Sequence, residues 1–207
     1  LVAARDAEVL INATPTPMHV PATIAALEAG WHVLCEKPMA PNLAEFDRMV
    51  ETARRAGRIL APFQNNRYQP FFVELLRIVR SGILGELVEV RSLWGGFGRR
   101  WDWQTFQCNY GGCLFNTGPH AVDQALQFFA PDATPAVSAV LQCHNLLGGD
   151  ADDYCAVVLT APGAPRVELI ITQYEGFPAK DMYVVNGTRG SLTGNWDALR
   201  WKYYDWD

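Results

Sequence analysis

The chain has 207 residues, a formal net charge of −5, 49% hydrophobic residues and 19% charged residues, which are the proportions of an ordinary globular protein. The acidic balance and the scattered basic residues argue against nucleic-acid binding, and no run approaches the ~20 consecutive apolar residues that cross a bilayer. Five cysteines without a Cys-x-x-Cys pair indicate a reducing, cytoplasmic setting, and the spacing of cysteines and histidines matches no common zinc site.

The first third of the chain alternates short apolar runs with helical patterns. The predicted elements, in order, are strand Val9–Asn12, helix Val20–Leu27, strand Val33–Cys35, helix Leu43–Ala53 and strand Ile59–Phe63. Asn42 has the side chain of a helix N-cap, and Gly57 stands where a C-cap glycine is expected. Strand–helix alternation with short links predicts parallel pairing and an α/β fold.

After Pro70 the pattern changes to consecutive strands. The predicted elements are helix Phe72–Val79, strand Leu87–Leu93, an irregular aromatic segment Trp94–Tyr110, helix Gly111–Phe129 and strands Val137–Cys143, Tyr154–Thr160, Arg166–Gln173, Met182–Val185 and Ser191–Thr193. Strands without intervening helices favour antiparallel pairing. The sequence therefore predicts a second domain of the α+β class with a largely antiparallel sheet.

Polar side chains follow each of the three strands of the first domain. The segments are Asn12–Pro15, Glu36–Pro38 and Gln64–Arg67. The carboxyl ends of parallel strands meet at one edge of a sheet, and open α/β sheets bind ligands beyond that edge. A solvated strand end would explain any one segment alone. The convergence of three favours a ligand-binding site.

Five motifs resemble those of the Gfo/Idh/MocA oxidoreductases in order and spacing. They are Thr14-Pro15-x-x-x-His19, Val33-Leu34-Cys35-Glu36-Lys37-Pro38, Asn65-x-Arg67-Tyr68-x-Pro70, Gly82-x-x-Gly85 and Gly111-Gly112-x-x-x-Asn116-x-Gly118-x-His120-x-x-Asp123. The turn at Asn186–Ser191 is similar to a hairpin of the same family's sheet domain. The resemblance covers nearly the whole chain and implies an NAD- or NADP-dependent oxidoreductase.

The resemblance also implies a division into domains, with residues 1–68 as the later half of a Rossmann domain and residues 69–207 as an incomplete substrate and oligomerisation domain. The glycine fingerprint that binds the pyrophosphate is absent from the sequence, so we expect ~60 further residues before Leu1 in the parent protein. Without that fingerprint, this chain alone is expected not to bind a dinucleotide with micromolar affinity.

Lys37, His120 and Asn116 are the catalytic residues that the resemblance implies. Lys37 would take the hydroxyl proton while a hydride leaves the carbinol carbon, and burial beside a cationic nicotinamide would lower its pKa from ~10.4. Many family members carry aspartate where this sequence has Asn116, and an amide can orient a hydroxyl but cannot exchange its proton. We expect Lys37 to face Asn116 and His120 across one cleft, and the Lys37–Pro38 bond to be cis.

Further residues are assigned to the cofactor and the substrate by the same resemblance. The cofactor set is Asn12, Thr14, Pro15, His19, Glu36, Lys37 and Asn65, and the substrate set is Lys37, Arg67, Asn116, His120 and Asp123. A helix entrance capped by Thr14 or Thr16 is the structural alternative for part of the first set. The aromatic residues between Trp94 and Phe106 are either a roof over a sugar or a hydrophobic plug.

A sugar or polyol dehydrogenase is the leading interpretation, with a homodimer or homotetramer formed through the sheet of the second domain. Two alternatives remain. Some relatives hydrolyse glycosides through transient oxidation by bound NAD, and others are cofactor-sensing or inert proteins. Retention of Lys37 and His120 favours catalysis, whereas Asn116 favours its loss.

Overall fold

The computed structural model describes residues 7–98, 100–144, 148–177 and 181–205. The chain forms two compact units. Residues up to Gln64, together with Cys108–Tyr110, form the first, and Asn65–Gln107 with the residues from Gly111 onward form the second. None of the helices in the described part of the chain is long and apolar enough to span a membrane.

The first unit is a three-stranded parallel sheet with two helices. Its elements are β1 (Val9–Asn12), a 3-10 turn (Thr16–Met18), α1 (His19–Glu28), β2 (His32–Cys35), α2 (Leu43–Ala56) and β3 (Leu60–Pro62). β2 lies between β1 and β3 and is parallel to both. The predicted α/β arrangement is confirmed.

Local capping chemistry fixes the ends of α2 but not the start of α1. The Oδ1 of Asn42 accepts a hydrogen bond from the backbone N of Glu45 at 2.9 Å, and Gly57 ends the helix in the left-handed region with φ 62°. By contrast, α1 begins after Met18 without a side-chain cap. The expectation that Thr14 or Thr16 caps this helix is therefore wrong.

The two helices of the first unit bury one face of its sheet. Right-handed crossovers between strands that advance in one direction place both helices on the same side. The core on that side consists of Val20, Ala26, Leu27, Trp31, Val33, Cys35, Met49 and Ala53. On the strands, Val9 and Ile11 remain 56% and 66% exposed, because their side chains leave β1 on the other face or at its free edge.

The second unit is a seven-stranded sheet with three helices. Its elements are a 3-10 turn (Asn65–Tyr68), α3 (Pro70–Arg80), β4 (Leu87–Gly95), a 3-10 turn (Trp103–Thr105), α4 (Cys113–Asn116), α5 (Gly118–Leu126), β5 (Ala136–Gln142), β6 (Tyr154–Thr160), β7 (Arg166–Thr172), β8 (Tyr183–Gly187), β9 (Gly190–Gly194) and β10 (Leu199–Tyr203). A further 3-10 turn, Gln107–Asn109, lies where the chain passes between the units.

The strand order of this sheet is β10-β9-β8-β4-β7-β6-β5. All neighbouring strands are antiparallel except β4 and β7, which are parallel. The chain passes through two helices and the β5–β6 hairpin between β4 and β7, so a parallel arrangement is topologically available to this pair. The predicted largely antiparallel sheet is confirmed.

One face of the sheet supports the helices and forms the larger core. Alternate residues of β6 and β7 are buried there, as the two-residue period of a strand requires. The helices contribute Phe71, Phe72, Leu75, Leu76, Ile78, Ala121 and Ala125 to the same cluster. This core gives α5, which carries two of the candidate site residues, a fixed position on the sheet.

Two of the glycine-bearing motifs pack against each other. Gly85 has φ 75°, and a Cβ atom there would lie 2.4 Å from the Oγ1 of Thr188 in the β8–β9 turn. That hydroxyl accepts a hydrogen bond from the backbone N of Glu86 at 3.1 Å, and the N of Arg189 donates to the carbonyl of Leu84 at 2.9 Å. The start of β4 and the hairpin turn therefore require glycine at position 85.

The helix predicted at Gly111–Phe129 is interrupted. Gly112 has φ 102°, α4 ends at Asn116, and α5 begins at Gly118 with a proline that lacks an N–H group at its second position. Asn116 and His120 therefore lie on different helices. The prediction of one continuous helix from Gly111 to Phe129 is wrong.

Candidate active site

Polar residues follow the carboxyl ends of β1 and β2, which lie side by side in the first unit. The backbone N of Glu36 donates to the carbonyl of Asn12 at 3.0 Å and extends the pairing of the two strands by one residue. Thr14 and Pro15 are exposed, and Glu36 and Lys37 are half-buried. This edge therefore offers accessible polar groups where open α/β sheets bind ligands.

The side chain of Asn12 is fully engaged within the protein. Its Nδ2 donates to the carbonyl of His19 at 3.0 Å and to the Oγ1 of Thr23 at 2.9 Å. Its Oδ1 accepts from the Oγ1 of Thr14 at 2.7 Å and from the N of Thr14 at 3.3 Å. Both donors and both acceptor positions are used and the residue is 2% exposed, so Asn12 shapes the turn instead of offering free groups to a cofactor.

The ring of His19 joins two loops at the same edge. Its Nδ1 lies 2.7 Å from the carbonyl oxygen of Pro38 and its Nε2 lies 2.8 Å from that of Thr14, and the residue is 2% exposed. Both ring nitrogens thus face backbone carbonyls. His19 positions the segments that carry Thr14 and Lys37, a role that the sequence did not reveal.

Lys37 is the second residue after the end of β2. The Lys37–Pro38 bond is cis, as predicted. The backbone N of Lys37 donates to the Oε2 of Glu36 at 3.2 Å, which orients the preceding carboxylate at the end of the strand. Lys37 itself is half-buried at this edge of the sheet.

In the second unit, Arg67 and Asp123 form a two-pronged ion pair. The Nε of Arg67 donates to the Oδ2 of Asp123 at 3.1 Å, and its Nη2 donates to the Oδ1. The side chain of Asp123 is only 10% exposed. Hydrogen bonding to this carboxylate raises the pKa of Arg67. Arg67 and Asp123, which the sequence analysis assigned to the substrate as individual residues, therefore form an ion pair with each other.

A second connection between the same elements is buried. The Nε2 of Gln124 donates to the carbonyl of Asn66 at 2.6 Å, and its Oε1 accepts from the hydroxyl of Tyr183 at 2.8 Å. Gln124 is 0% and Tyr183 is 1% exposed, and burial raises the pKa of the Tyr183 hydroxyl. Sequence reasoning missed both residues. The signal was available, since a glutamine occupies a position on the apolar face of α5 beside Ala121 and Ala125.

The remaining candidates of the second unit lie on the 3-10 turn, on α4 and on α5. Asn65 opens the 3-10 turn that α5 holds through Asn66 and Arg67, and its side chain is exposed. His120 lies in the first turn of α5, and Asn116 is the last residue of α4, and both are half-buried. The structure therefore brings the Asn65–Arg67 segment and α5 together within one unit.

The aromatic segment does not form a plug. Phe97, Trp101 and Phe106 are 72%, 83% and 45% exposed. Trp94 belongs to the end of β4 and, with Trp196 in the β9–β10 turn, lines a recess of about 420 Å³, which we call the tryptophan recess. Within the described residues, no group of three or more His, Cys, Asp or Glu side chains is arranged to hold a metal ion.

Two family models match the chain. The NAD-binding Rossmann fold of an oxidoreductase family matches residues 1–64, and the GFO/IDH/MocA C-terminal domain matches residues 72–193. Together they cover both units in the order that the motifs predicted. The chain spans about half the length of the curated relatives it matches.

Named relatives and solved structures are similar over much of the chain. The trans-1,2-dihydrobenzene-1,2-diol dehydrogenase of Mus musculus is 31% identical over 89% of this chain and 54% of its own length. The D-glucoside 3-dehydrogenase of Escherichia coli is 32% identical over 64% of this chain and 38% of its own. The crystal structure of an NAD-binding protein from Listeria innocua, 27% identical, covers 97% of this chain and 57% of that chain with a TM-score of 0.88.

Proposed function

The chain belongs to the GFO/IDH/MocA family of NAD-binding oxidoreductases, and on that premise we propose that the protein transfers a hydride between NAD or NADP and a sugar, polyol or related ring alcohol. The observation that carries the proposal is the position of Lys37, two residues after the end of β2 at the carboxyl edge of a parallel sheet. The names of the diol and glucoside dehydrogenases that resemble the chain support a ring-borne hydroxyl group as the reacting group.

Lys37 is proposed as the proton-transfer residue. In the oxidative direction the hydroxyl proton passes to the Lys37 amine, and the carbinol carbon loses a hydride. The nicotinamide ring supplies the hydride acceptor when the cofactor is bound. Proton transfer by a positioned side chain contributes typically ~10²–10⁴-fold to the rate, so Lys37 carries a large part of the expected catalysis.

Asn116 and His120 are proposed to orient the reacting hydroxyl, with His120 as the second proton-transfer candidate. An amide both donates and accepts hydrogen bonds, so Asn116 can hold a hydroxyl without exchanging its proton. Arg67 and Asp123 are proposed to contribute to the site mainly through the ion pair that they form with each other. Their ion pair holds the Asn65–Arg67 turn on α5, and Arg67 keeps a 44% exposed side chain that can still reach a substrate hydroxyl.

The residues assigned to the cofactor fall into two groups, which differ in how exposed their side chains are. Thr14 and Pro15 at the end of β1, Glu36 and Lys37 after β2, and Asn65 are proposed to contact the nicotinamide half. Exposed or half-buried side chains at the carboxyl edge of a parallel sheet fit this half of a dinucleotide. Asn12 and His19 are proposed to hold the loops that carry these contacts.

We further propose the domain division at residue 68, a homodimer or homotetramer formed through the seven-stranded sheet, and a cytoplasmic location. In support of the assembly, the sheet face away from the helices carries half-buried or exposed apolar side chains, among them Val140, Val158 and Ile170. In support of the location, the five cysteines are unpaired.

The test is isotopic and uses the intact protein. A panel of cyclic alcohols, deuterated at each secondary carbinol carbon in turn, is incubated with NAD and NADP, and deuterium transfer to the nicotinamide is measured by mass spectrometry. Lys37→Ala is expected to lower kcat about 10²-fold or more with little change in dinucleotide affinity. Lys202→Ala, at an exposed lysine on β10, is the matched control. Full turnover by Lys37→Ala, or the absence of label transfer from every alcohol, would refute the proposal.

A further inference from the structure

The tryptophan recess lies at one end of the seven-stranded sheet, entirely within the second unit. Its apolar walls are Trp94 and Trp196, and its polar lining includes Thr117, Gln173, Asn195 and Asp197. Its volume of about 420 Å³ is in the range of small-molecule sites. Thr117 directly follows Asn116, so the recess borders the α4–α5 junction at which the candidate site residues of this unit lie.

Trp196 is a fixed but half-open aromatic wall. Its ring centroid lies 4.5 Å from that of Phe71 and 6.2 Å from that of Trp94, with interplanar angles of 61° and 88°. Both contacts are edge contacts, which hold the indole without covering it, and 49% of the residue remains exposed. A rigid indole surface offers a large apolar contact area at a low cost in side-chain entropy, and the C–H face of a saturated ring can pack against it.

The turn that carries Trp196 is ordered by the side chain of Asn195 and by one backbone hydrogen bond. The Oδ1 of Asn195 accepts hydrogen bonds from the backbone N of Asp197 at 2.9 Å and from that of Ala198 at 3.3 Å, and the N of Asn195 donates to the carbonyl of Ala198 at 3.0 Å. Asp197 lines the recess, and these bonds of the turn do not involve its carboxylate.

The recess carries negative and neutral polar groups. Asp197 is its only charged lining residue, and no Lys, Arg or His is among the described residues that line it. The cation that follows Asp197 most closely in the sequence, Arg200, is paired with Asp181 at 2.8 Å. A carboxylate and the amide of Gln173 can each bind a neutral hydroxyl, whereas a phosphate or carboxylate on the ligand would meet the charge of Asp197 with no base among the described lining residues.

We propose that the tryptophan recess binds the ring of the substrate, and that Trp196 and Asp197 make the site specific for neutral ring alcohols over phosphorylated or carboxylated ones. The inference rests on the proposed function, because it takes the recess to be part of the same substrate site. It adds a specificity determinant in the β9–β10 turn, which neither the motifs nor the family matches single out.

The experiment measures equilibrium binding of two matched probes by calorimetry and protein-observed NMR. Methyl β-D-glucopyranoside represents a neutral ring alcohol, and glucuronate represents the same ring with a carboxylate. We expect the wild-type protein to bind the neutral probe at least about tenfold more tightly, which corresponds to the ~1.4 kcal/mol of a modest charge effect. Asp197→Lys is expected to reverse this preference, and Asp197→Asn to reduce it.

Trp196→Ala tests the aromatic wall, with Trp201→Ala as the control. Trp201 lies on β10 and is 42% exposed, so it removes a comparable indole from outside the recess. Trp196→Ala is expected to weaken binding of the neutral probe about tenfold, and Trp201→Ala to leave it unchanged. Equal effects of the two substitutions, equal binding of the two probes by the wild type, or no binding of either probe would overturn the inference.

The outcome separates this inference from the proposed function. Selective binding of the neutral probe without any hydride transfer would sustain the recess assignment and contradict the oxidoreductase reaction. Hydride transfer from a neutral ring alcohol with a KM unaffected by Trp196→Ala would sustain the reaction and overturn the recess. A rise in KM with little change in kcat is the result expected if both hold, because the wall binds the ring and touches no reacting atom.

Discussion

Replacing Tyr183 by phenylalanine tests the buried connection between the sheet and α5. The substitution removes one hydroxyl and keeps the ring, whose centroid lies 6.2 Å from that of Phe71 and 5.9 Å from that of Phe72. Apolar burial is therefore retained. The substitution removes the hydrogen bond that the Oε1 of Gln124 accepts from this hydroxyl at 2.8 Å, and Gln124 is 0% exposed.

The expected cost is about 1–3 kcal/mol, the range for leaving one buried polar group without its partner. No solvent screening reduces it, because Tyr183 is itself 1% exposed. Urea unfolding followed by tryptophan fluorescence suits the measurement, since six of the seven tryptophans belong to the second unit. With a urea dependence of ~1–3 kcal/mol per molar, the midpoint should fall by roughly 1 M at constant slope.

Tyr203→Phe is the matched control, because it deletes the same hydroxyl from a residue that is 50% exposed. It should change the free energy of unfolding by less than ~0.5 kcal/mol. The double-mutant cycle with Gln124→Met should give a coupling free energy of ~0.5–3 kcal/mol, as for residues in direct contact. A midpoint for Tyr183→Phe that matches the control, or a coupling free energy near zero, would refute the reasoning.

Two further predictions concern the first unit and the thiols. Asn12→Ala leaves the groups that Asn12 bonds within α1 and its turn unpaired, so it should lower the free energy of unfolding by ~1–3 kcal/mol and speed amide exchange in α1; unchanged exchange there would contradict the role of Asn12. In the native protein only Cys108 and Cys143 should react rapidly with Ellman's reagent, because the other three cysteines are buried and burial raises the pKa of Cys113 to about 12; a third fast thiol would contradict this.

Elements that local chemistry determines were predictable from the sequence. The caps of α2 at Asn42 and Gly57 follow from side-chain and backbone preferences of single residues. The parallel order of β1, β2 and β3 follows from strand–helix alternation and the handedness of crossovers. The caps depend on residues within one turn of the helix ends, and the strand order depends only on the sequence of consecutive elements.

Elements that depend on distant residues were not predicted correctly. β10 (Leu199–Tyr203) follows a short turn after β9, and it contains two cations and two aromatic residues that give no clear apolar run. The parallel pairing of β4 with β7 depends on the route of the chain through α4 and α5. The break at Thr117 was visible as Gly118-Pro119, but the apolar periodicity through Phe129 outweighed it in the prediction.

In the candidate site, too, the sequence indicated the residue types but not their hydrogen-bonding partners. The sequence located Asn12, His19, Arg67 and Asp123, and their chemistry suits ligand binding. The structure shows that carbonyls, hydroxyls and one another already engage their polar groups. A sequence shows which hydrogen-bonding groups are present, but it does not show which of them are bonded to other groups of the folded protein. In several of these contacts the partner is 11 or more residues away along the chain.

Residues whose polar groups are already bound within the fold should respond to substitution differently from residues that are proposed to act on the substrate. The carbonyl of Asn66 and the guanidinium of Arg67 are held by α5 through two separate contacts, one buried and one partly exposed. Asn65, the adjacent cofactor candidate, is therefore placed by residues that need not touch any ligand. Changes at Gln124 or Asp123 should act on binding and stability together, because they remove hydrogen bonds that hold the turn on α5. Changes at Lys37 should act mainly on turnover, because Lys37 is proposed to exchange the proton of the reacting hydroxyl.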